Sequence, residues 1–172
     1  MHKLGKRIMI IGSGGSGKST LARQLGERLD LPVIHLDAEF WNAGWMVTPQ
    51  DEWVEKQKMV LSGAEWIADG NYSGSMGLRL ERADSVILLD FNRFTCLWGV
   101  TKRRIKNRGT TRPDMAEGCP EQLDFTFLKW IWRFPARERP KIIEKLSIHT
   151  DINQIILRNR KEVRQFLAGG IE

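Results

Sequence analysis

The sequence predicts an α/β domain with a doubly wound sheet of five parallel strands. Short apolar runs of strand length alternate along the chain with longer segments whose apolar residues recur at helical spacing. Strands separated by helices need crossover connections, which set the strands parallel and put helices on both faces of the sheet. No internal repeat, low-complexity tract or linker interrupts the 172 residues, so one domain is expected over residues 1–172.

The elements follow in order. Residues 7–11 (RIMII) are almost wholly apolar, as for a strand buried on both faces. Residues 18–29 place Leu21, Leu25 and Leu29 on one helical stripe. A second strand is expected at 33–36. Thr48 and Pro49 then read as the N-cap and first turn of a helix running to about Leu61. Strands three and four are expected at 65–68 and 85–89, and a helix at 94–107. Residues 109–120 read as a loop rich in Gly, Pro and Thr. Helices are expected from about 121 to 133 and from 136 to 146, broken at Pro135. A fifth strand at 154–157 and a helix at 159–167, ending at Gly169 and Gly170, complete the pattern.

Composition narrows the function classes. Hydrophobic residues at 41% and charged residues at 28% are ordinary for a globular chain and exclude disorder. No apolar run approaches the roughly 20 residues that span a bilayer, so no membrane partner is expected. The basic start of the chain leads straight into the first strand and its glycine loop, which argues against a cleavable signal peptide. Cys96 and Cys119 lie in no metal or redox spacing and read as thiols in a reducing compartment. A cytoplasmic protein is the expectation. The net charge is +6, and between Lys102 and Arg112 stand six basic residues and no acid. Such a run suits a polyanion: a nucleotide, a phosphorylated substrate or nucleic acid.

Gly12, Ser13, Gly14, Gly15, Ser16, Gly17, Lys18 and Ser19 fit G-x-x-x-x-G-K-[ST], between a buried strand and an amphipathic helix. Glycines let successive N–H groups turn inward around an anion, and the helix adds its free N–H groups and positive dipole end. Lys18 is expected on the β- and γ-phosphates of ATP. The Ser19 hydroxyl is expected on Mg²⁺, with Thr20 in support. Gly12, Gly14 and Gly17 also satisfy G-x-G-x-x-G, with Asp37 20 residues past Gly17, the spacing of a dinucleotide site. Lys18 decides against that reading. A lysine in a helix's first turn opposes the dipole unless a multiply charged phosphate sits in front of it.

Asp37, expected at the end of strand two, can orient or deprotonate an acceptor hydroxyl or hold Mg²⁺ through water; a turn or helix cap is its other reading. Phe40, Trp41 and Trp45 either stack on an acceptor or pack beneath the loop. Trp53, Trp66, Trp98, Trp130 and Trp132 are expected in the core. Asp90 ends strand four as a Walker B acid does, which makes it a candidate ligand for a Mg²⁺ water or a partner of Ser19. Arg104 and Arg108, four apart, are expected to share a helix face that leads into Arg112 on the loop. Such a loop can close over ATP as a lid of about 109–120, its arginines stabilising the transferring phosphoryl group.

These segments together bear a family likeness. The phosphate loop, His35-Leu36-Asp37, residues 66–72 (WIADGNY), and Arg108…Arg112-Pro113-Asp114…Gly118-Cys119-Pro120-Glu121 resemble the adenylate-kinase-related "DNA topology modulation" (FlaR-type) proteins across nearly the whole chain. The resemblance implies a nucleoside-monophosphate-kinase-like core, ATP as donor, and a small-molecule or nucleotide acceptor. It also brings a nucleic-acid-associated regulator as the alternative. Adenylate kinases carry Asp-Gly-Phe-Pro-Arg after strand three, and the arginine grips the acceptor phosphate. This chain has Asp69-Gly70-Asn71-Tyr72, and Arg79 stands at a different spacing.

Overall fold

The computed structural model describes residues 3–120 and 124–169. Its main sheet holds β1 (Arg7–Gly12), β2 (Val33–His35), β5 (Trp66–Asp69), β6 (Ser85–Leu89) and β7 (Asn153–Leu157). The strands are all parallel in the order β2-β5-β1-β6-β7. A second, two-stranded hairpin pairs β3 (Trp41–Asn42) with β4 (Met46–Val47). The helices are α1 (Lys18–Leu29), α2 (Leu36–Phe40), α3 (Gln50–Val60), α4 (Met76–Leu80), α5 (Arg93–Lys106), α6 (Phe125–Arg137), α7 (Arg139–Ile148) and α8 (Arg160–Ala168).

The strand period of two explains how one sheet makes two cores. On one face Ile8, Ile10, Ile67, Ile87 and Leu89 meet Leu21 and Leu25 of α1, Val100 of α5, Ile131 of α6 and Phe166 of α8. On the other, Met9, Ile11, Trp66, Val86 and Leu88 meet Leu80 of α4 and Ile142 and Leu146 of α7. Both faces are covered, so β1 carries four successive apolar residues (Ile8–Ile11) and β6 another four (Val86–Leu89) instead of alternating.

Most expected elements are present within a residue or two of their bounds. Differences have local causes. Thr48 does not cap α3; its hydroxyl donates to the Phe40 carbonyl at 2.5 Å and closes the β3–β4 hairpin. Pro135 sits inside α6, and the break falls at Glu138. Proline forfeits one helical hydrogen bond near the end of α6, where buried Ile131 and Phe134 keep the turn seated. The expected helix start at Glu121 and stop at Gly170 lie outside the described residues. Trp53 and Trp66 are buried as expected, whereas Trp98 and Trp132 are exposed. They share the outer face of α5 and α6 with Phe94, whose ring lies 5.7 Å from that of Trp132. Among the described residues, no helix is long and apolar enough to cross a membrane.

Ile87 lies fully buried at the centre of β6, between β1 and β7. Replacing it with alanine is expected to cost about 2–5 kcal/mol, through lost burial and the cavity left behind. Urea unfolding would read this as a lower midpoint at unchanged slope.

Candidate active site

β1 ends at Gly12 and α1 begins at Lys18, so the glycine loop hangs at the carboxyl end of the central strand. Gly17 caps α1 with φ 99°, and Gly15 has φ 77°; both are left-handed torsions that side chains resist. Gly15 is also held tightly from behind: a Cβ there would sit 2.1 Å from the Cys96 carbonyl oxygen of α5. The loop closes on itself where the Ser16 hydroxyl donates to the Ser13 carbonyl at 2.8 Å. Lys18 folds its ammonium over the loop, donating to the carbonyls of Gly12 and Ser13 at 3.0 Å each. Burial pushes the Lys18 pKa below its ordinary value; Asp37 and Asp69 offset this in part, and Arg103 adds to the lowering. An arriving polyphosphate would supply the negative charge this ammonium lacks.

The loop is tied to the neighbouring strand by one side chain. Asn71, just past β5, accepts from the Gly12 N–H at 2.9 Å and donates to the Gly12 carbonyl at 2.7 Å. Behind it, Arg79 of α4 is fully buried and donates to the carbonyls of Asn71 and Tyr72. Its guanidinium is therefore sealed inside the fold and offers nothing to an acceptor phosphate.

A cleft of about 1190 Å³ opens in front of the loop. Gly14, Gly15, Ser16, Gly17, Lys18, Ser19 and Thr20 line its floor. Gly12 and Ser13 lie behind that surface and present their carbonyls to Lys18. Asp37 borders the cleft. It lies in the first turn of α2, not on strand two, which stops at His35. It caps no helix: the N-cap of α2 is His35, with no side-chain cap bond. Its carboxylate accepts from the Tyr72 hydroxyl at 2.7 Å. Burial and the Asp37 charge raise the Tyr72 pKa, so the phenol stays protonated and keeps donating.

The aromatic trio divides. Phe40 packs on Trp53 and Tyr72, with ring centroids 5.2 and 4.9 Å away. Trp41 and Trp45, edge to face at 5.4 Å, line the cleft.

Residues 109–120 lie across the cleft and rest on the β3–β4 hairpin. The Gly44 N–H donates to the Gly118 carbonyl at 2.9 Å and the Trp45 indole to the Pro120 carbonyl at 3.2 Å. The buried Arg112 lines the cleft and donates to Asp114 at 2.9 Å. Desolvation pushes the Asp114 carboxyl up, but Arg112 and the facing Ser19 hydroxyl outweigh it and hold the pKa below its ordinary value.

Three expected placements are corrected. α5 stops at Lys106, so Arg108 falls in the following turn and shares no helix face with Arg104. Neither lines the cleft; Lys102, Arg103 and Lys106 do. Asp90, one residue past β6, receives Arg139 Nε on both carboxylate oxygens at 2.8 and 2.9 Å and does not border the cleft. Ser19 faces Asp114 in its place. Sequence reasoning passed over Arg160 and Arg164 of α8, which also line the cleft. Their four-residue spacing just after the last strand's carboxyl end was the available signal.

A scan against protein-family models finds no match, and neither does a search of curated proteins. Among solved structures, the fold is similar to a gluconokinase from Sinorhizobium meliloti 1021, with a TM-score of 0.58 at 16% identity over 98% of this chain and 93% of that one. It is also similar to a shikimate kinase from Bacteroides thetaiotaomicron, with a TM-score of 0.51 at 16% identity over 95% of each chain. The five-stranded parallel sheet with flanking helices is the fold of these P-loop kinases.

His35 Nδ1 lies 2.6 Å from the buried Asp69 carboxylate. Burial lowers the His35 pKa, but the Asp69 hydrogen bond and charge, with Asp114 beyond, overcome this and raise it above its ordinary value of 6.5. A raised pKa means that the pair's contribution to stability is full below pH 6.5 and is lost as pH rises through the folded value. In Asp69→Asn the midpoint is expected to fall below 6.5, because burial then dominates. An NMR titration of the imidazole in both proteins checks it.

Proposed function

We propose that this chain is an ATP-dependent phosphotransferase that moves the γ-phosphate of Mg-ATP to a hydroxyl of a small-molecule or nucleotide acceptor. One observation carries the reading: Lys18 in its glycine loop, Asp37 and Arg112 border the same cleft, from three different parts of the chain. Phosphoryl transfer asks mainly for positioning and charge neutralisation, which these three groups supply.

The loop's N–H groups and Lys18 hold the β- and γ-phosphates. Asp37 accepts the proton of the acceptor hydroxyl, and Tyr72 orients the carboxylate for it. Arg112 offsets charge on the transferring group, and loop 109–120 serves as the lid that keeps water out. A magnesium ion would arrive with the triphosphate, held mostly by phosphate oxygens and water, and the Ser19 hydroxyl facing the Asp114 carboxylate at the cleft fits that pattern. Ser19, in the first turn of α1 and on the cleft floor, is the residue that would ligate it, with Asp114 beside it. When bound, the ion neutralises charge on the phosphate oxygens. Arg103 of α5 and Arg160 of α8, which also line the cleft, suit the nucleotide end of ATP.

The FlaR-type resemblance also raises a nucleic-acid role. The position of Lys102, Arg103, Lys106 and Arg112 along the cleft favours a nucleotide as the polyanion they meet, and so supports the kinase reading. The two free, buried cysteines suit the cytoplasm as its setting.

Asp37→Asn is expected to lower acceptor-dependent ADP release by about 10²–10⁴-fold, the worth of a positioned general base, with ATP affinity nearly unchanged. Lys18→Met is expected to weaken ATP binding itself. Calorimetry with Mg-ATP and a coupled ADP assay separate the two. Native protein that takes up no Mg-ATP would refute the proposal.

A further inference from the structure

The two ends of the cleft carry opposite charge. On the nucleotide side it is bordered by Lys102, Arg103, Lys106, Arg160 and Arg164. On the acceptor side it is bordered by the carboxylates of Asp37, Asp69 and Asp114. The cations near those carboxylates already face them. Arg112 donates to Asp114, and His35 is bonded to Asp69. Arg79 is sealed behind the Asn71 and Tyr72 carbonyls. Two further cations line this side: Lys18, which lies within reach of Asp37 and Asp69 and is the group the proposed function assigns to the ATP phosphates, and Arg23, which stands exposed on α1.

A phosphate or carboxylate brought into that end would find Arg112 and His35 already engaged and would meet Asp37, whose carboxylate is bonded only to the neutral Tyr72 hydroxyl, in a partly desolvated space. Such like-charge contact is a strong device for rejecting ligands. Hydroxyl groups meet the opposite reception, because a carboxylate accepts several O–H bonds at once. Asp37 takes a single hydrogen bond from the described residues, that of Tyr72, and keeps lone pairs for a ligand. The indoles of Trp41 and Trp45 form an apolar wall beside it, of the kind that covers the C–H face of a sugar ring or the plane of a base. Asn71, the neutral amide lining the same end, is spent on Gly12.

Resting on the phosphotransferase reading and narrowing it, we infer that the acceptor is an uncharged, polyhydroxylated ring compound, a nucleoside or a free sugar, and not a phosphorylated or carboxylated molecule. In the reaction, the acceptor O–H gives its proton to Asp37 as the oxygen bonds to the γ-phosphorus. The bond from that phosphorus to the β,γ-bridging oxygen breaks, and ADP leaves with the electron pair. The proton then passes from Asp37 to water.

The full chain with Mg-ATP is tested against four matched sets: nucleosides, nucleoside monophosphates, neutral sugars and sugar acids. ADP release and product mass are the readouts. One neutral set is expected to give phosphorylated product, and the responding set tells nucleoside from sugar. Its anionic counterpart is expected to show kcat/KM lower by about 10²-fold or more, as for charges buried against like charge. Trp41→Ala is expected to raise KM for the accepted compound several-fold with little change in kcat, as loss of a covering wall should. An anionic acceptor used as well as any neutral one overturns the inference and leaves the phosphotransferase standing. Mg-ATP binding without stimulation by any set also counts against it. Absence of Mg-ATP binding removes the broader reading instead.

Discussion

The two hydrogen bonds between the Asn71 amide and the backbone of Gly12 hold the site's geometry together. Gly12 closes β1 and starts the glycine loop; Asn71 follows β5 and starts the stretch that carries Tyr72 along the cleft. The loop cannot shift without moving the neighbouring strand end. The same stretch of chain reaches Asp37 through the Tyr72 hydroxyl. Arg79 anchors both residues from below through their carbonyls. Burial pushes its pKa down to about 10, so it remains a cation at neutral pH. Two of its nitrogens lack hydrogen-bond partners among the described residues. That cost is borne at the point where two halves of a candidate active site must keep a fixed spacing.

The loop over this base is lightly held. The 109–120 loop meets the β3–β4 hairpin through bonds such as Gly44 to Gly118 and the Trp45 indole to Pro120, with Cys119 Sγ near the Asn42 carbonyl. Each is worth about 0.5–1.5 kcal/mol net. A handful of such contacts seats the loop on the hairpin with far less burial than the central strands of the sheet have. The Arg112–Asp114 pair brings one charge of each sign to the cleft, so the loop adds almost no net charge beside Lys18 and Ser19.

Much of the fold was legible because its signals are local. The all-apolar runs of β1 and β6 reveal strands covered on both faces, and the Leu21–Leu25–Leu29 stripe reveals α1. The small elements were not legible. α2, α4 and the β3–β4 hairpin are too short for any period to emerge, and their form comes from side-chain contacts that no period announces, such as Thr48 on the Phe40 carbonyl and Lys145 on the Ser73 carbonyl 72 residues away. The glycine loop was readable because its backbone torsions demand glycine at fixed positions. The partners of Asp90 were not, because Arg139 reaches it from 49 residues away.

By itself the sequence determined the doubly wound architecture and the glycine loop between β1 and α1, since periodicity and torsional demand act within a few residues. Only the tertiary structure decided which charges meet. It set Arg103 and Lys106 on the cleft in place of Arg104 and Arg108, tied Asp90 to Arg139, and buried Arg79 beneath Asn71. A side chain's direction depends on where its helix ends and what packs behind it, and its charge is felt only across distances that folding alone establishes.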